Sequence, residues 1–405
     1  MLRPPCTVDR TSTAADLTCI PLHEAPMDVE KGLKIDDVTQ DKEDSPKPKQ
    51  TVAPSNKVLF LDGVRGVAAM LVVCHHFGYL VHQKVGPFGV HTFFVLSAFL
   101  LTMLLEKKMR GLYEEKASWK RWLLAMTDYG VRRVLRVYPL FLIVVLALAA
   151  STDAHKKQWY EINKLGSTFS ATKMATFASG YRFYVFWTLP LELKYYLLIP
   201  VFSVGAILLK RWWWVPILPL TYWILHNGLY EYRRAGMGLG TYLPTFVSGS
   251  VAAVVYNHAD EWIKRTQFVF RWWHTLAIRV IQLVAVVLLL SVSFSCLVFD
   301  WFGPYPFKVK KGSDEGDNFV SLHVAVIIVC EMLVPGLLSV IFEWAVFRYA
   351  GKISFSMYLL HPRIIHSDFM LRQKNYYTSF LSLWALIFFW SSISAGALPP
   401  YQDRN

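Results

Sequence analysis

The sequence predicts an all-α, polytopic integral membrane protein with about ten transmembrane helices. Three observations carry that expectation. Of its 405 residues, 54% are hydrophobic and 15% aromatic. Apolar runs approaching or exceeding the ~20 residues needed to cross ~30 Å of hydrocarbon recur along most of the chain. The basic residues gather beside those runs. A net charge of +13 would otherwise suit nucleic acid, but charge clustered next to spans is the mark of cytosolic loops, so the expected partners include membrane lipids and no nucleic acid. The five cysteines form neither a disulfide framework nor a zinc spacing, and no metal site is expected.

Residues 1–57 are polar, proline-bearing and mixed in charge, most of all in KIDDVTQDKEDSPKPKQ. They read as a disordered cytosolic tail. No apolar signal run precedes the first span, which is expected to act as its own targeting signal. Spans are expected near 58–81, 88–105, 131–150, 185–209, 212–229, 239–256, 276–299, 320–347, 353–368 and 380–398, with 399–405 as a short C-terminal tail. The segment 159–184 is too polar for a span and reads as a lumenal loop or a re-entrant piece shielded by protein.

Four basic clusters fall on one side: residues 106–136, Lys210 with Arg211, Lys264 with Arg265 and Arg271, and Arg348 with Lys352. These are expected to face the cytosol, against one dissenting loop, 300–319, whose lysines are partly offset by Asp314, Glu315 and Asp317.

The first span carries an arginine and a histidine, Arg65 and His76. Eleven residues at about 100° each return to nearly the same helix face, about 16 Å deeper. His75 lies off that line. Ionisable groups inside a span mark a polar pathway or site; the alternative is a snorkelling arginine and a histidine that bonds a neighbouring helix. At the start of the third span Arg133 and Arg136 share one face and suit a phosphate-bearing ligand entering from the cytosol, the alternative being ordinary loop charge. Glu192, two residues after Pro190, is open to two roles, hydrogen bonding to the His76 imidazole or neutralising an arginine, beside a purely structural interhelical bond. Glu331 and Glu343 are expected to pair structurally. Ser97 is chiefly a helix-packing residue and a possible site residue, because neither histidine nor carboxylate neighbours it in sequence. His361 is a possible second site histidine or an interfacial residue. No P-loop, GxSxG, HExxH or dinucleotide turn is present.

The segments LDGVRGVAAMLVVCHHFG, FFVLSAFLLT, RRVLRVYPLF, FWTLPLELKYYLLIP and GKISFSMYLLH, in that order, resemble the successive signatures of the acyltransferase 3 family of integral-membrane acyltransferases, most like its fungal members. The resemblance runs from about residue 58 to 366 and implies a transmembrane acyltransferase domain over 58–398. It departs at GVHTFFVLSAF, where many relatives carry an acidic residue and Ser-Gly-Phe, and at the short stretch ending in GALPPYQDRN.

The resemblance implies transfer of an acyl group, acetyl or another short chain, from cytosolic acyl-coenzyme A to a hydroxyl of a sugar, lipid or secondary metabolite. Acyl-coenzyme A is then a co-substrate, with no bound cofactor, in the endoplasmic reticulum or plasma membrane. Arg65, Arg133 and Arg136 would hold the donor phosphates, and His76 would act as general base, since an imidazole can both take the hydroxyl proton and return it to the departing thiolate. Glu192 would orient that imidazole or stabilise its charged form. The competing class is a transporter of an anionic or lipidic substrate lined by the same buried charges; no repeat of the Arg…His spacing in the second half of the chain supports it.

Overall fold

The computed structural model describes residues 56–79, 85–162, 169–178, 183–230, 238–293, 317–373 and 375–397, and every regular element among them is helical. Three long helices open the fold: α1 (Asn56–Phe77), α2 (Val85–Glu114) and α3 (Trp119–Ala149). Two short ones follow, α4 (Asp153–Tyr160) and α5 (Ala171–Ala175). A 3-10 turn, Tyr184–Trp187, leads into α6 (Thr188–Tyr196), then come α7 (Ile199–Leu208), α8 (Trp214–Tyr230), α9 (Leu239–Thr266) and α10 (Trp272–Ser293). The chain continues through α11 (Asp317–Leu333), α12 (Leu337–Phe342), α13 (Ala345–Lys352), α14 (Ser354–Ile365), α15 (Asp368–Leu371) and α16 (Tyr376–Ala397).

α2 is the central helix. Val95, Leu96, Ala98 and Phe99 are all buried although they point in successive directions, so neighbours cover every face, as an all-round apolar helix requires. It packs against α1, α7, α9 and α11. The α9 backbone comes in at Gly249, where a Cβ would overlap the Val95 carbonyl. A similar approach sets α13 on α1, with Gly351 against the Asp62 carbonyl; small residues at such crossings let helix backbones meet. The periphery is inverted relative to a soluble protein. Leu146 of α3, Leu283 of α10 and Leu381 of α16 are 58%, 63% and 69% exposed, surface that suits hydrocarbon rather than water.

Six helices among the described residues are long and apolar enough to cross a membrane, fewer than the expected figure of about ten. α3 is long, but Arg132, Arg133 and Arg136 occupy its middle; α8 has 17 residues and α14 has 12. Two expected spans are broken by proline. Within 185–209, Pro200 has no N–H and its ring opposes the Tyr196 carbonyl four residues back, and the helix restarts after Tyr196, yet Tyr184–Leu208 as a whole is one of the six. Within 320–347 the break falls at Pro335–Gly336. There Glu331 accepts the backbone N–H groups of Gly336 at 2.5 Å and Ser339 at 2.8 Å, and side-chain bonds from Arg279 at 2.8 Å and Gln282 at 2.6 Å. Glu331 therefore caps α12 and ties it to α10.

The expected loop 106–130 is mostly helix, with a turn only around Glu115–Ser118. Charged pairs explain the extension: Arg110 meets Glu106 at 2.6 Å and Arg132 meets Asp128 at 2.6 Å, each one helical turn apart, while Lys108 reaches Asp128 at 2.9 Å. Hydrogen bonds from Arg132, then Lys108, hold the Asp128 carboxyl below its ordinary range. The parts of 159–184 that are described form the end of α4, α5 and the 3-10 turn. The Tyr160 hydroxyl donates to the Leu359 carbonyl of α14 at 2.9 Å. The expected tail lies outside the described residues except for Asn56 and Lys57, which open α1; so do residues 399–405 and nearly all of loop 300–319.

Candidate active site

The sequence-predicted residues fall into two adjoining chambers. The first is a cavity of about 80 Å³ lined by Arg65 of α1, Ser97 of α2, Arg133 and Arg136 of α3, and Glu192 and Tyr196 of α6. Three guanidinium groups thus converge from two helices on one small space. Arg65 reaches Asp62 at 3.4 Å, one turn earlier on α1. Arg136 makes no hydrogen bond or ion pair among the described residues. The Tyr196 hydroxyl donates to Glu192 Oε2 at 2.9 Å and lies 3.4 Å from Ser97 Oγ, so one carboxylate with its tyrosine faces the arginines. Three guanidinium groups against the carboxylates of Glu192 and Asp62 leave a cationic excess that suits an anion.

The second chamber, about 220 Å³, is lined by His75 and His76 at the end of α1, His91 of α2, Trp187, Tyr242 and Tyr358. His76 Nδ1 lies 2.7 Å from Nε2 of His361 on α14, and the two rings stack with centroids 5.0 Å apart. The remaining nitrogen of His361, Nδ1, lies 3.3 Å from the Met357 carbonyl. A carbonyl only accepts, so that contact puts the His361 proton on Nδ1 and leaves Nε2 bare. His76 then donates through Nδ1–H, and its own Nε2 is left with a lone pair. A neutral imidazole oriented this way is a base whose tautomer is set by its neighbour. Tyr184 packs on the other side of His76, ring centroids 5.0 Å apart, from a backbone with φ of 42°, a left-handed conformation that a bulky residue adopts only under constraint.

The chambers abut: Val90 of α2 and Tyr358 of α14 line both. Arg65 and His76, on one stripe of α1, therefore open into neighbouring spaces rather than a single one. Glu192 stands with the arginines, hydrogen-bonded to Tyr196, the second of the two placements expected for it, and the side chain bonded to His76 is that of His361. Ser97 joins the arginine chamber. His75 lines the same chamber as His76, and the expected contrast between them rests on the 2.7 Å bond that His76 makes.

The acyltransferase domain model matches residues 58–398, most of the chain. The chain belongs to the acyltransferase 3 family. Among curated family relatives it is 24% identical over 364 residues to the "Putative O-acetyltransferase" of Staphylococcus aureus, covering 81% of this chain and 54% of that protein. It is also 24% identical to "Putative peptidoglycan O-acetyltransferase YrhL" of Bacillus subtilis over 75% of this chain and 48% of that one. For "Peptidoglycan O-acetyltransferase OatA" of Listeria monocytogenes the figures are 24%, 78% and 51%. The chain spans about half the length of the curated relatives it matches. These relatives are bacterial and lend no support to the narrower likeness to fungal members. No solved structure matches the chain.

Several residues of the two chambers escaped the sequence reading. Tyr196 had a usable signal, lying four residues after Glu192 on the same helical face. Tyr358 had a weaker one, three residues before His361 in GKISFSMYLLH. His91 appeared only as a departure from the family pattern; its Nδ1 lies 2.8 Å from Thr245 Oγ1 of α9 and 3.3 Å from Ser321 Oγ of α11, partners far away in sequence.

Proposed function

We propose that the chain is a membrane O-acyltransferase that moves an acyl group, acetyl in the first instance, from acyl-coenzyme A to a hydroxyl of a glycan, lipid or secondary metabolite. The single observation that carries the reading is the shared wall between a cationic chamber and a histidine chamber in a member of an acyltransferase family. The phosphates of the donor sit with Arg65, Arg133 and Arg136, and the thioester passes Val90 and Tyr358 toward His76. His76 Nε2 takes the acceptor hydroxyl proton as the new C–O bond forms at the thioester carbonyl. The C–S bond then breaks, and the same proton goes to the departing thiolate. His361 holds the His76 ring in the tautomer this requires. Glu192 and Tyr196 adjust the charge of the donor chamber.

The names of the relatives favour acetyl as the group and a glycan as the acceptor. The setting is a multi-pass protein of the endoplasmic reticulum or plasma membrane, with the arginine side facing the cytosol. The test is product analysis after incubating the purified, membrane-reconstituted protein with labelled acetyl-coenzyme A and a panel of sugar and lipid alcohols. The expected result is an O-acetylated product that requires His76; a failure of any acceptor to take label, with coenzyme A unbound, overturns the reading.

A further inference from the structure

A third cavity, the largest of the three at about 360 Å³, lies outside this machinery between α3, α4, α14 and α16. Its walls are mainly apolar, from Leu140 and Leu148 of α3 to Leu386 and Trp390 of α16. Its polar members are almost all satisfied from within. The Tyr160 hydroxyl donates to the Leu359 carbonyl at 2.9 Å, Ser367 to Ile364 at 2.7 Å and Ser394 to Trp390 at 2.8 Å.

Arg363 is the exception. Its guanidinium lies 4.8 Å above the Trp159 ring and makes no ion pair or hydrogen bond among the described residues. A planar cation laid on an indole keeps its N–H donors free for an acceptor alongside. The position is informative. On α14, Ser354 lines the arginine chamber and His361 meets His76, so Arg363 lies beyond the histidine pair, at the end of the bundle opposite the arginine chamber. On α16, Tyr376 packs on Tyr79 at the same histidine end, whereas Ser392 meets Tyr349 toward the other end. The trough between α3 and α16 therefore starts at Arg363 and runs inward along apolar side chains to Leu140 and Ser394.

An apolar trough with one uncompensated cation at its outer end matches an amphiphile with a hydrocarbon chain and an anionic head. We propose that this trough is a binding site for a monoanionic phospholipid of the leaflet on the histidine side, its phosphate on Arg363 and one acyl chain between α3 and α16. The site stands independently of the acyltransferase reading. It favours a head group of net negative charge, because the trough accepts any hydrocarbon chain and both head groups carry a phosphate, but the choline of a zwitterionic head brings a second cation beside the exposed guanidinium.

Detergent-delipidated full-length protein is exposed to vesicles of phosphatidylcholine and phosphatidylglycerol in equal amounts, and the lipid it retains is measured by mass spectrometry. Losing one charge-assisted contact is expected to change relative retention by about tenfold. Wild type retains phosphatidylglycerol preferentially, Arg363→Lys keeps the preference, and Arg363→Gln loses it while still binding phosphatidylcholine. Ala147→Trp, which fills the trough wall, lowers retention of both lipids. Equal retention of the two lipids by wild type, or an undiminished preference in Arg363→Gln, overturns the proposal.

Discussion

His361 Nε2 stands 2.7 Å from His76 Nδ1 although 285 residues separate them in the chain. The bond, together with the contact between His361 Nδ1 and the Met357 carbonyl, leaves Nε2 of His76 with a lone pair, and on the proposed mechanism this is the base. Removing His361 should therefore free the His76 ring without removing the base. His361→Ala is expected to lower kcat by about tenfold to a hundredfold, with donor KM unchanged, whereas His76→Ala should cost at least ~100-fold, the ordinary worth of a general base. A pH–rate profile separates positioning from structure: the acidic limb, where the base takes up its proton, should move in His361→Ala and stay in place in His75→Ala, the milder variant. Equal losses from His75→Ala and His76→Ala would refute the assignment.

Glu192 supplies a second discrimination. Its partner is Tyr196 in the arginine chamber, so Glu192→Gln and Tyr196→Phe should alter donor KM while leaving the pH dependence of turnover in place. A shifted pH profile with unchanged donor KM would return Glu192 to the role of orienting His76.

The long-range part of this arrangement was not legible in the sequence. Periodicity alone located Arg65, His76, Arg133 and Arg136, because each pair lies within one helix and helix geometry fixes which side chains share a face. It could not pair His76 with His361 or seat Glu192 among arginines, since those contacts depend on how α14 and α6 pack, which no local pattern encodes. The same limit applies to the fold. Apolar runs marked the helices and passed over the breaks at Pro200 and Pro335, which proline itself signals, and the length of α2 past residue 105 came with ion pairs rather than hydropathy.

Beyond the turn between α2 and α3, Asp128 of α3 accepts from Arg132 of the same helix and Lys108 of α2, which lowers its folded pKa below the ordinary value near ~3.9. A depressed carboxyl contributes stability that is fully present above the unfolded pKa and is lost as pH falls through the folded one. The thermal midpoint of wild type should therefore fall toward that of Asp128→Asn below about pH 4 and exceed it at neutrality. Asp128 is about a third exposed, so the difference is small, up to ~1 kcal/mol. A constant gap between the two proteins from pH 3 to pH 7 would contradict the linkage.

Orientation is open to direct labelling. Lys116 is exposed in that turn, among the basic residues that predict the cytosolic side. Lys116→Cys in intact cells should resist an impermeant thiol reagent and react after permeabilisation. Labelling from outside would reverse the topology and remove the cytosolic route for the donor.

The central claim is a division of labour between the two chambers, donor held by arginines and proton moved by histidine. Equilibrium binding of labelled acetyl-coenzyme A and single-turnover transfer, measured together on His76→Ala and Arg133→Gln with Arg136→Gln, test it most directly. Each lost phosphate contact is worth about 1.5–3 kcal/mol, or roughly tenfold to a hundredfold in donor affinity. The account predicts that the arginine variants bind the donor that much more weakly yet transfer from the saturated complex at near wild-type rate, and that His76→Ala binds normally and transfers at least ~100-fold more slowly. Unchanged donor affinity in the arginine variants, or a wild-type protein that binds no coenzyme A while vesicles containing it pass an anionic substrate, would contradict it in favour of transport.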